Sequence, residues 1–565
     1  VPGVRVEARF DILPPLPASS GIVGAVGIVD RPPASGLISV TKVSELADLL
    51  GPGTQISMPQ VVHALGNGAS EVVISAVAGG ASASATLLNV NSKPAVRLRS
   101  RSHGAWGNDV YADVRGVYGA DGKKLMRATI RLLRGGVVVE QFDDMRVLAG
   151  AVDDLFETVN NASRYVVALD PGLDGVTLSG FAASPFDGDG VLAVNSSGPS
   201  GTAVMRLFAA PGASTTDMTV KLDVAGDGSA TMSIYQKGLQ ESFAGLNTDP
   251  DDANYLPYVL QKQSRLVRAR IVNTLGPDEQ LPVPTGAPVP FTGGSSPNTD
   301  AYATAIDLLS DDPRIDLLLA AIEPGRADAE VSTIHQALQA HAVTMADHGA
   351  PRIAFGSIST GEQTAAYKSD LSLIREHAAM VRNRRFVLVA PSGAEGAVAG
   401  VVGRLDPQDS PTFKSVPLFG VRPAGFRESQ LNQLLGSTMN LCVVQDRAGH
   451  GVVVLRGLDT TGDQISVTRV ADECIRETKA ISENFIGELN TDQARSALKQ
   501  QIVATFTRME RAGALVPSTD GKDPAFVVDV YSTQLDFAQG IVRVDIAVRP
   551  VRAIDYIYAT IRVKN

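Results

Sequence analysis

The sequence predicts a mixed α/β and α+β multidomain protein, and three observations carry that expectation. Strand patterns alternate with helical ones over residues 300–430. Between 95 and 285 a strand-rich stretch of about one hundred residues occurs twice in tandem. Residues 435–548 order two strands, a long helical pattern and two more strands, which reads as an α+β unit.

Composition sets the outer bounds. The 565 residues allow roughly three or four domains with ample core. A formal net charge of −10 argues against broad nucleic-acid binding. Cys442 and Cys474 are too few for a disulfide scaffold and read as small buried hydrophobes. No signal peptide and no apolar run of membrane-spanning length is recognised, so synthesis and assembly in the cytoplasm are expected.

Residues 1–20 run into Leu13-Pro-Pro-Leu-Pro17, where the prolines favour an extended arm. Residues 21–90 read as strands and short helices of a core layer. The first β-rich unit, 95–200, has strands at Ala95–Ser100, Asp109–Val114, Arg127–Leu133 and Val137–Phe142, a helix at Ala151–Asn160 and a strand at Tyr165–Leu169. The second, 201–285, repeats it. Ala128-Thr-Ile-Arg-Leu lies over Ala230-Thr-Met-Ser-Ile, Glu140-Gln-Phe142 over Glu241-Ser-Phe243, and Ser163-Arg164 over Ser264-Arg265. Leu275–Thr299, rich in Pro, Gly, Ser and Thr, reads as a linker. Strands at Ile315–Ala321, Arg352–Ile358 and Phe386–Ala390 then alternate with helices at Ala329–Asp347, Thr364–Asn383 and Ala394–Leu405, which predicts a mainly parallel sheet. In the last third, Met439–Gln445 and Gly451–Arg456 read as a hairpin, and Phe526–Tyr531 and Gly540–Val548 as strands.

That order of elements in the last third resembles the C-terminal domain of contractile-tail sheath proteins of phages and related injection machines. Pro2-Gly-Val-Arg-Val6 is similar to the family's N-terminal arm, and Ile22-Val-Gly-Ala-Val-Gly-Ile-Val29 with Arg31-Pro-Pro to its first core strand. Ser102-His-Gly-Ala-Trp-Gly-Asn108 resembles the turn that opens its second domain; the second repeat has no match to Trp106. The resemblance implies a subtilisin-like α/β core without a catalytic triad, a C-terminal α+β sheath domain at 435–548, two inserted small β-rich domains, and extended N- and C-terminal strand arms at 1–20 and 549–565.

Catalysis can be tested directly on the residues. A subtilisin-type protease needs Asp, His and Ser in that chain order. Here His348-Gly349 precedes Gly436-Ser-Thr-Met439, with Thr438 where the nucleophile belongs, and Asp459-Thr-Thr-Gly462 follows both. A degenerate hydrolase therefore remains only a distant alternative, and no enzyme activity is expected. His335, His341 and His348 do not share one helix face at ligand distance, so they read as surface or helix-face histidines; no metal and no cofactor are expected.

Two devices suit an assembling subunit. On the helix after Thr491, Leu498, Ile502, Phe506 and Met509 form a core-facing stripe. Arg508 and Arg511 project from roughly the opposite side, and Arg495 and Lys499 flank the stripe. These four are, by resemblance, the tube-facing residues. The second device is strand exchange: Val4, Val6 and Phe10 in the N-terminal arm, and Ile554, Tyr556, Tyr558, Ile561 and Val563 in the C-terminal arm, would pair with neighbouring subunits through main-chain hydrogen bonds. The expected partners are further copies of the chain, an inner tail tube protein, and baseplate and tail terminator proteins, with no direct nucleic-acid or membrane contact. The expected place is a virion tail assembled in the host cytoplasm, or else the sheath of an extracellular contractile injection system.

Overall fold

A computed structural model of the chain describes residues 21–33, 36–119, 124–147, 153–197, 201–210, 212–250, 252, 254–272 and 281–555. Its centre is an eight-stranded sheet in the order Leu37–Val40, Glu71–Ala76, Ile22–Gly27, Leu317–Ala320, Ile353–Ser357, Phe386–Ala390, Cys442–Arg447, Gly451–Val454. The six inner strands are parallel and the two outermost antiparallel.

Both faces of this sheet are buried, which is why its strands are apolar without alternation. Ile22 and Val26 point to one core, shared with Ile334, Leu338 and Ile374. Val23 and Ala25 point to the other, shared with Val61, Val398 and Val402. The small-residue helix Glu395–Arg404 lies against Pro59–Gly66. A Cβ on Gly396 would collide with the Gln60 carbonyl, and one on Gly400 with that of Ala64, so glycine is what permits this backbone approach.

Three expectations change here. The hairpin Cys442–Val454 was expected to open the C-terminal unit. It belongs to the core sheet, through the pairing of Val389 with Cys442, so a boundary at 435 cuts one sheet in two. The expected helix Thr364–Asn383 is two, Thr360–Tyr367 and Ser372–Met380, broken at Ser369, which has φ +72°. The stretch expected as a linker up to Thr299 is built into the first β-rich unit from 281 onwards. Leu281 and Phe291 lie in that unit's core, and Val289–Pro290 pairs with Tyr111–Ala112.

The tandem repeat is a true structural duplication. Among the described residues each copy has a four-stranded and a three-stranded antiparallel sheet, with one α-helix: Val289–Pro290, Val110–Tyr118, Leu125–Arg134, Val137–Met145 in one answer to Phe181–Pro185, Met218–Val224, Ala230–Gln236, Leu239–Leu246 in the other. The repeated glutamate and serine are explained by one clasp made twice. Ser163 Oγ donates to Glu140 Oε2 at 2.6 Å, and Ser264 Oγ to Glu241 Oε2 at 2.6 Å. The Arg164 and Arg265 backbone N–H groups donate to the other glutamate oxygens at 2.9 and 2.8 Å. The strand Phe181–Pro185 and the core residues Val167, Leu173 and Leu178 belong to the second copy, so it begins before residue 201.

Polar junctions fix the inserted units to the core. Asp30, 2 % exposed, lies 3.7 Å from Arg101 of the first unit and 3.9 Å from Lys262 of the second. Lys262 also donates to the Arg101 carbonyl at 2.8 Å, and Arg31 Nε to the Lys262 carbonyl at 2.8 Å. Asn108 closes the Trp106 turn by exchanging two hydrogen bonds with Gly294, at 2.8 and 2.9 Å.

Candidate assembly interface

The C-terminal unit packs the helices Ile465–Glu483 and Asp492–Arg511 against a two-stranded sheet. The second helix starts where Thr491 accepts from the Ala494 N–H, with Asp492 in its first turn and Arg508 and Arg511 in its last, a charge order that suits the helix dipole. Its stripe Leu498, Ile502, Phe506 and Met509 is buried as the spacing predicts. Phe506 meets Phe526 edge-on at 5.6 Å.

The sheet pairs Phe526–Tyr531 with Arg543–Val548, antiparallel, from Phe526 opposite Val548 to Tyr531 opposite Arg543. Phe526, Val530, Val544 and Ile546 turn towards the helices, whereas Val527, Asp529, Asp545 and Ala547 face outward. Among the described residues each strand has only this one strand partner, so both outer edges offer main-chain donors and acceptors to another strand. Beside the sheet lies a recess of about 330 Å³ lined by Phe485, Leu489, Leu498, Val542 and Val544. Ile486 and Leu489 stand on its rim, each about four-fifths exposed.

The chain beyond Val548 behaves differently from the expected free arm. Arg549 and Val551 run beside Ala514–Val516, with Val516 N–H donating to the Arg549 carbonyl at 3.0 Å and Val551 N–H to the Ala514 carbonyl at 3.0 Å. Gln464 then grips Ala553 through both its amide oxygen and nitrogen, at 2.8 and 2.9 Å. Arg552 pairs with Asp463 at 2.6 Å and Asp555 with Arg456 at 3.1 Å. Residues 549–555 are thus fastened to their own subunit, and Ile554, though exposed, lies in no strand. Any exchanged arm begins after Asp555, not at 549. Tyr556, Tyr558, Ile561 and Val563 lie outside the described residues, as do Val4, Val6 and Phe10.

The four basic residues do not form a single face. Arg495 is engaged by Asp492 and Asn490 at the start of the helix, and Lys499 lies 3.4 Å from Asp529 on the sheet. Arg508 is on the other side, 3.7 Å from Glu477, whose carboxyl is raised by burial and by Glu473. Arg511 is exposed at the end of the helix.

The catalytic fragments have structural duties. Asp459 Oδ1 gathers Thr461 N and Oγ1, Gly462 N and Asp463 N within 3.1 Å, closing a turn. Thr438 is exposed, as is His348 at its helix end. The other two histidines are not on the surface. His341 Nε2 meets Arg352 Nη1 at 2.7 Å, and its pKa is lowered to about 4 by burial and then by that guanidinium. His335 is buried, with Nδ1 2.9 Å from His377 Nε2, while His377 Nδ1 is 2.9 Å from Glu362. His377 and Glu362 were not anticipated, because they join His335 only through tertiary packing.

A unit that leaves two strand edges free and occupies its polar groups in turns and clasps is suited to joining other chains through its main chain. Residues 459–564 match the family model of the phage tail sheath C-terminal domain. No curated protein matches the chain. Among solved structures it is similar to a sheath tail protein from Desulfitobacterium hafniense, with 13% identity, 98% of this chain and 97% of that one covered, and a TM-score of 0.46. It is also similar to a sheath tail protein from Listeria innocua, with 11% identity, coverage of 95% and 93%, and a TM-score of 0.44. The contracted helical sheath of the anti-feeding prophage matches at 18% identity over 49% of this chain and 78% of that one, with a TM-score of 0.36.

Proposed function

We propose that this protein is the polymerising subunit of a contractile sheath. Copies wrap an inner tube, and a trigger at the baseplate repacks them into a shorter, wider array that drives the tube through a target envelope. The role is mechanical rather than catalytic. The observation that carries this reading is the two-stranded sheet with both edges open, lying within the matched sheath domain.

Each edge accepts one strand from a neighbouring subunit. The donors are the segments 1–20, through Val4, Val6 and Phe10, and 556–565, through Tyr556, Tyr558, Ile561 and Val563. Main-chain hydrogen bonds hold such joints whatever the side chains, and heterologous joints repeated from copy to copy build an open helix. Arg511 and Arg508, with Lys499 and Arg495 on the opposite side of the helix, contribute charge to the tube contact, where polar pairs set register and release into water. The core at 21–90 and 300–548 faces the tube, and the duplicated units face outward. Tail terminator and baseplate proteins cap the ends. The assembly is a phage tail or an extracellular injection system of the same build.

Negative-stain electron microscopy of the purified full chain tests this. Hollow striated cylinders of uniform diameter are expected. Deleting residues 1–12 or 556–565 abolishes them while the monomer stays folded by circular dichroism. Monodisperse particles across a range of salt and protein concentration would sink the proposal.

A further inference from the structure

A wide cleft lies away from the C-terminal unit, at the carboxyl ends of the parallel core strands. It measures about 750 Å³ and is bounded by Ile322–Arg326, Ser357–Thr360, Ser392–Glu395 and the helix start at Gln60. Its wall on the far side comes from the first inserted unit, through Trp106, Arg134 and Tyr165. Strand order reverses beside it: from Ile22–Gly27 the chain first builds outward through Glu71–Ala76, then resumes on the opposite side with Leu317–Ala320. Open α/β sheets take their ligands in this crevice, and the volume is that of a small-molecule site.

The wall carries buried acceptors without hydrogen-bond partners. Gln60 Oε1, Glu323 Oε1 and Glu395 Oε2 are unpartnered, and all three residues are more than nine-tenths buried. They form one stretch of wall: Gln60 Nε2 donates to the Ile322 carbonyl at 3.3 Å, next to Glu323, and the Gln60 backbone abuts Gly396, next to Glu395. Burial raises the pKa of both glutamates by more than the resident cations lower it. The nearest one, Arg326, is engaged by the Pro297 carbonyl at 2.6 Å, by Glu330 at 2.9 Å and by the Tyr302 ring, and Arg134 lies over Trp106 at 5.8 Å.

Three acceptors, two of them carboxyl groups, flanked by aromatic rings call for a ligand that donates several N–H groups and carries positive charge. A metal ion suits the site less well, because among the described residues no three His, Cys, Asp or Glu side chains come together in a ligand set. We infer that this cleft binds an organic cation, an ammonium or guanidinium group, through Glu395, Glu323 and Gln60. The group is either that of a free small amine or that of a lysine or arginine side chain on a second copy of the chain.

Agmatine, which has an ammonium and a guanidinium end, is the probe. Titrated calorimetrically into the full chain at matched ionic strength, it binds saturably with one site per chain. Glu395→Gln and Gln60→Leu each weaken it by at least about tenfold, the worth of one charge-assisted hydrogen bond. Glu488→Gln, at an exposed position remote from the cleft, leaves it unchanged. Sedimentation velocity separates the sources. If the cation comes from a second copy, agmatine and Glu395→Gln both shift the chain to smaller species; if it is a free amine, sedimentation stays constant while the heat remains. Absence of saturable heat overturns the inference, and so does heat that is equal in wild type and Glu395→Gln. The calorimetry does not depend on the sheath reading, so its failure leaves that reading standing.

Discussion

One edge of the core sheet and the two edges of the C-terminal sheet are treated in opposite ways. The core sheet ends at Gly451–Val454, and that edge is covered: Phe413 N–H donates to the Val454 carbonyl at 2.7 Å, Val416 N–H to that of Val452 at 3.0 Å, and Val454 N–H to that of Lys414 at 3.2 Å. The C-terminal sheet has no such cover on either strand among the described residues. Exposed edges are a hazard that folded proteins usually suppress. The chain covers the core edge at Gly451–Val454 and leaves both edges of the C-terminal sheet open among the described residues. The core sheet stabilises the subunit, whereas the small sheet derives little from its own two strands and relies on the helices beneath it.

That contrast can be broken from the C-terminal side first. Phe506→Ala empties the space under the small sheet and costs about 3–5 kcal/mol locally. Hydrogen exchange then rises across Phe526–Tyr531 and Arg543–Val548, while the core strands keep their protection, and cylinders no longer form. Equal loss of protection in both sheets would mean they fold as one unit. Asp30→Asn acts at the core junction. It leaves Arg101 and Lys262 without their carboxylate and lowers stability by about 3 kcal/mol, read by denaturant unfolding, with faster proteolysis between core and inserted units.

A pH titration sharpens the comparison further. His341 and His103 have folded pKa values lowered to about 4 by burial, against an ordinary 6.5. They stay neutral in the fold, so stability is present above pH 6.5 and is lost as pH falls towards 4. Asp316 and Asp170, raised to about 6 by burial, act in the other direction, adding stability as pH falls from above 6 towards 3.8. His341→Gln therefore reduces the acid loss between pH 6.5 and pH 4 in thermal unfolding. The smallest effect belongs to Lys499→Ala. Its exposed pair with Asp529 contributes roughly 0–1 kcal/mol, so the melting temperature barely moves, and the readout is the salt dependence of assembly.

Periodicity and repetition made much of this legible in the sequence. The stripe Leu498–Met509 follows from helical spacing, and the paired Glu140/Glu241 and Ser163/Ser264 positions mark the duplication, though not the clasp that these side chains make. What escaped is what depends on distant partners. The hairpin at 442–454 reads the same whether it joins the core or the C-terminal unit, and only its pairing with Phe386–Ala390 decides. Val289–Pro290 has the composition of a linker, yet it closes a sheet whose other strands lie more than a hundred residues earlier. Likewise, the basic residues on Asp492–Arg511 gave a face by angle, but Asp529 and Glu477, the groups that divide it, come from other elements.

The fastening of residues 549–555 has a mechanical meaning. A pull on the chain beyond Asp555 does not reach the small sheet strand by strand. It is met first by Arg456, then by the two bonds of Gln464 and by Asp463, all rooted beside the core sheet. Residues 549–555 therefore tie the end of the small sheet to groups beside the core sheet, and a load on Asp555 passes through those side chains before it reaches Arg543–Val548.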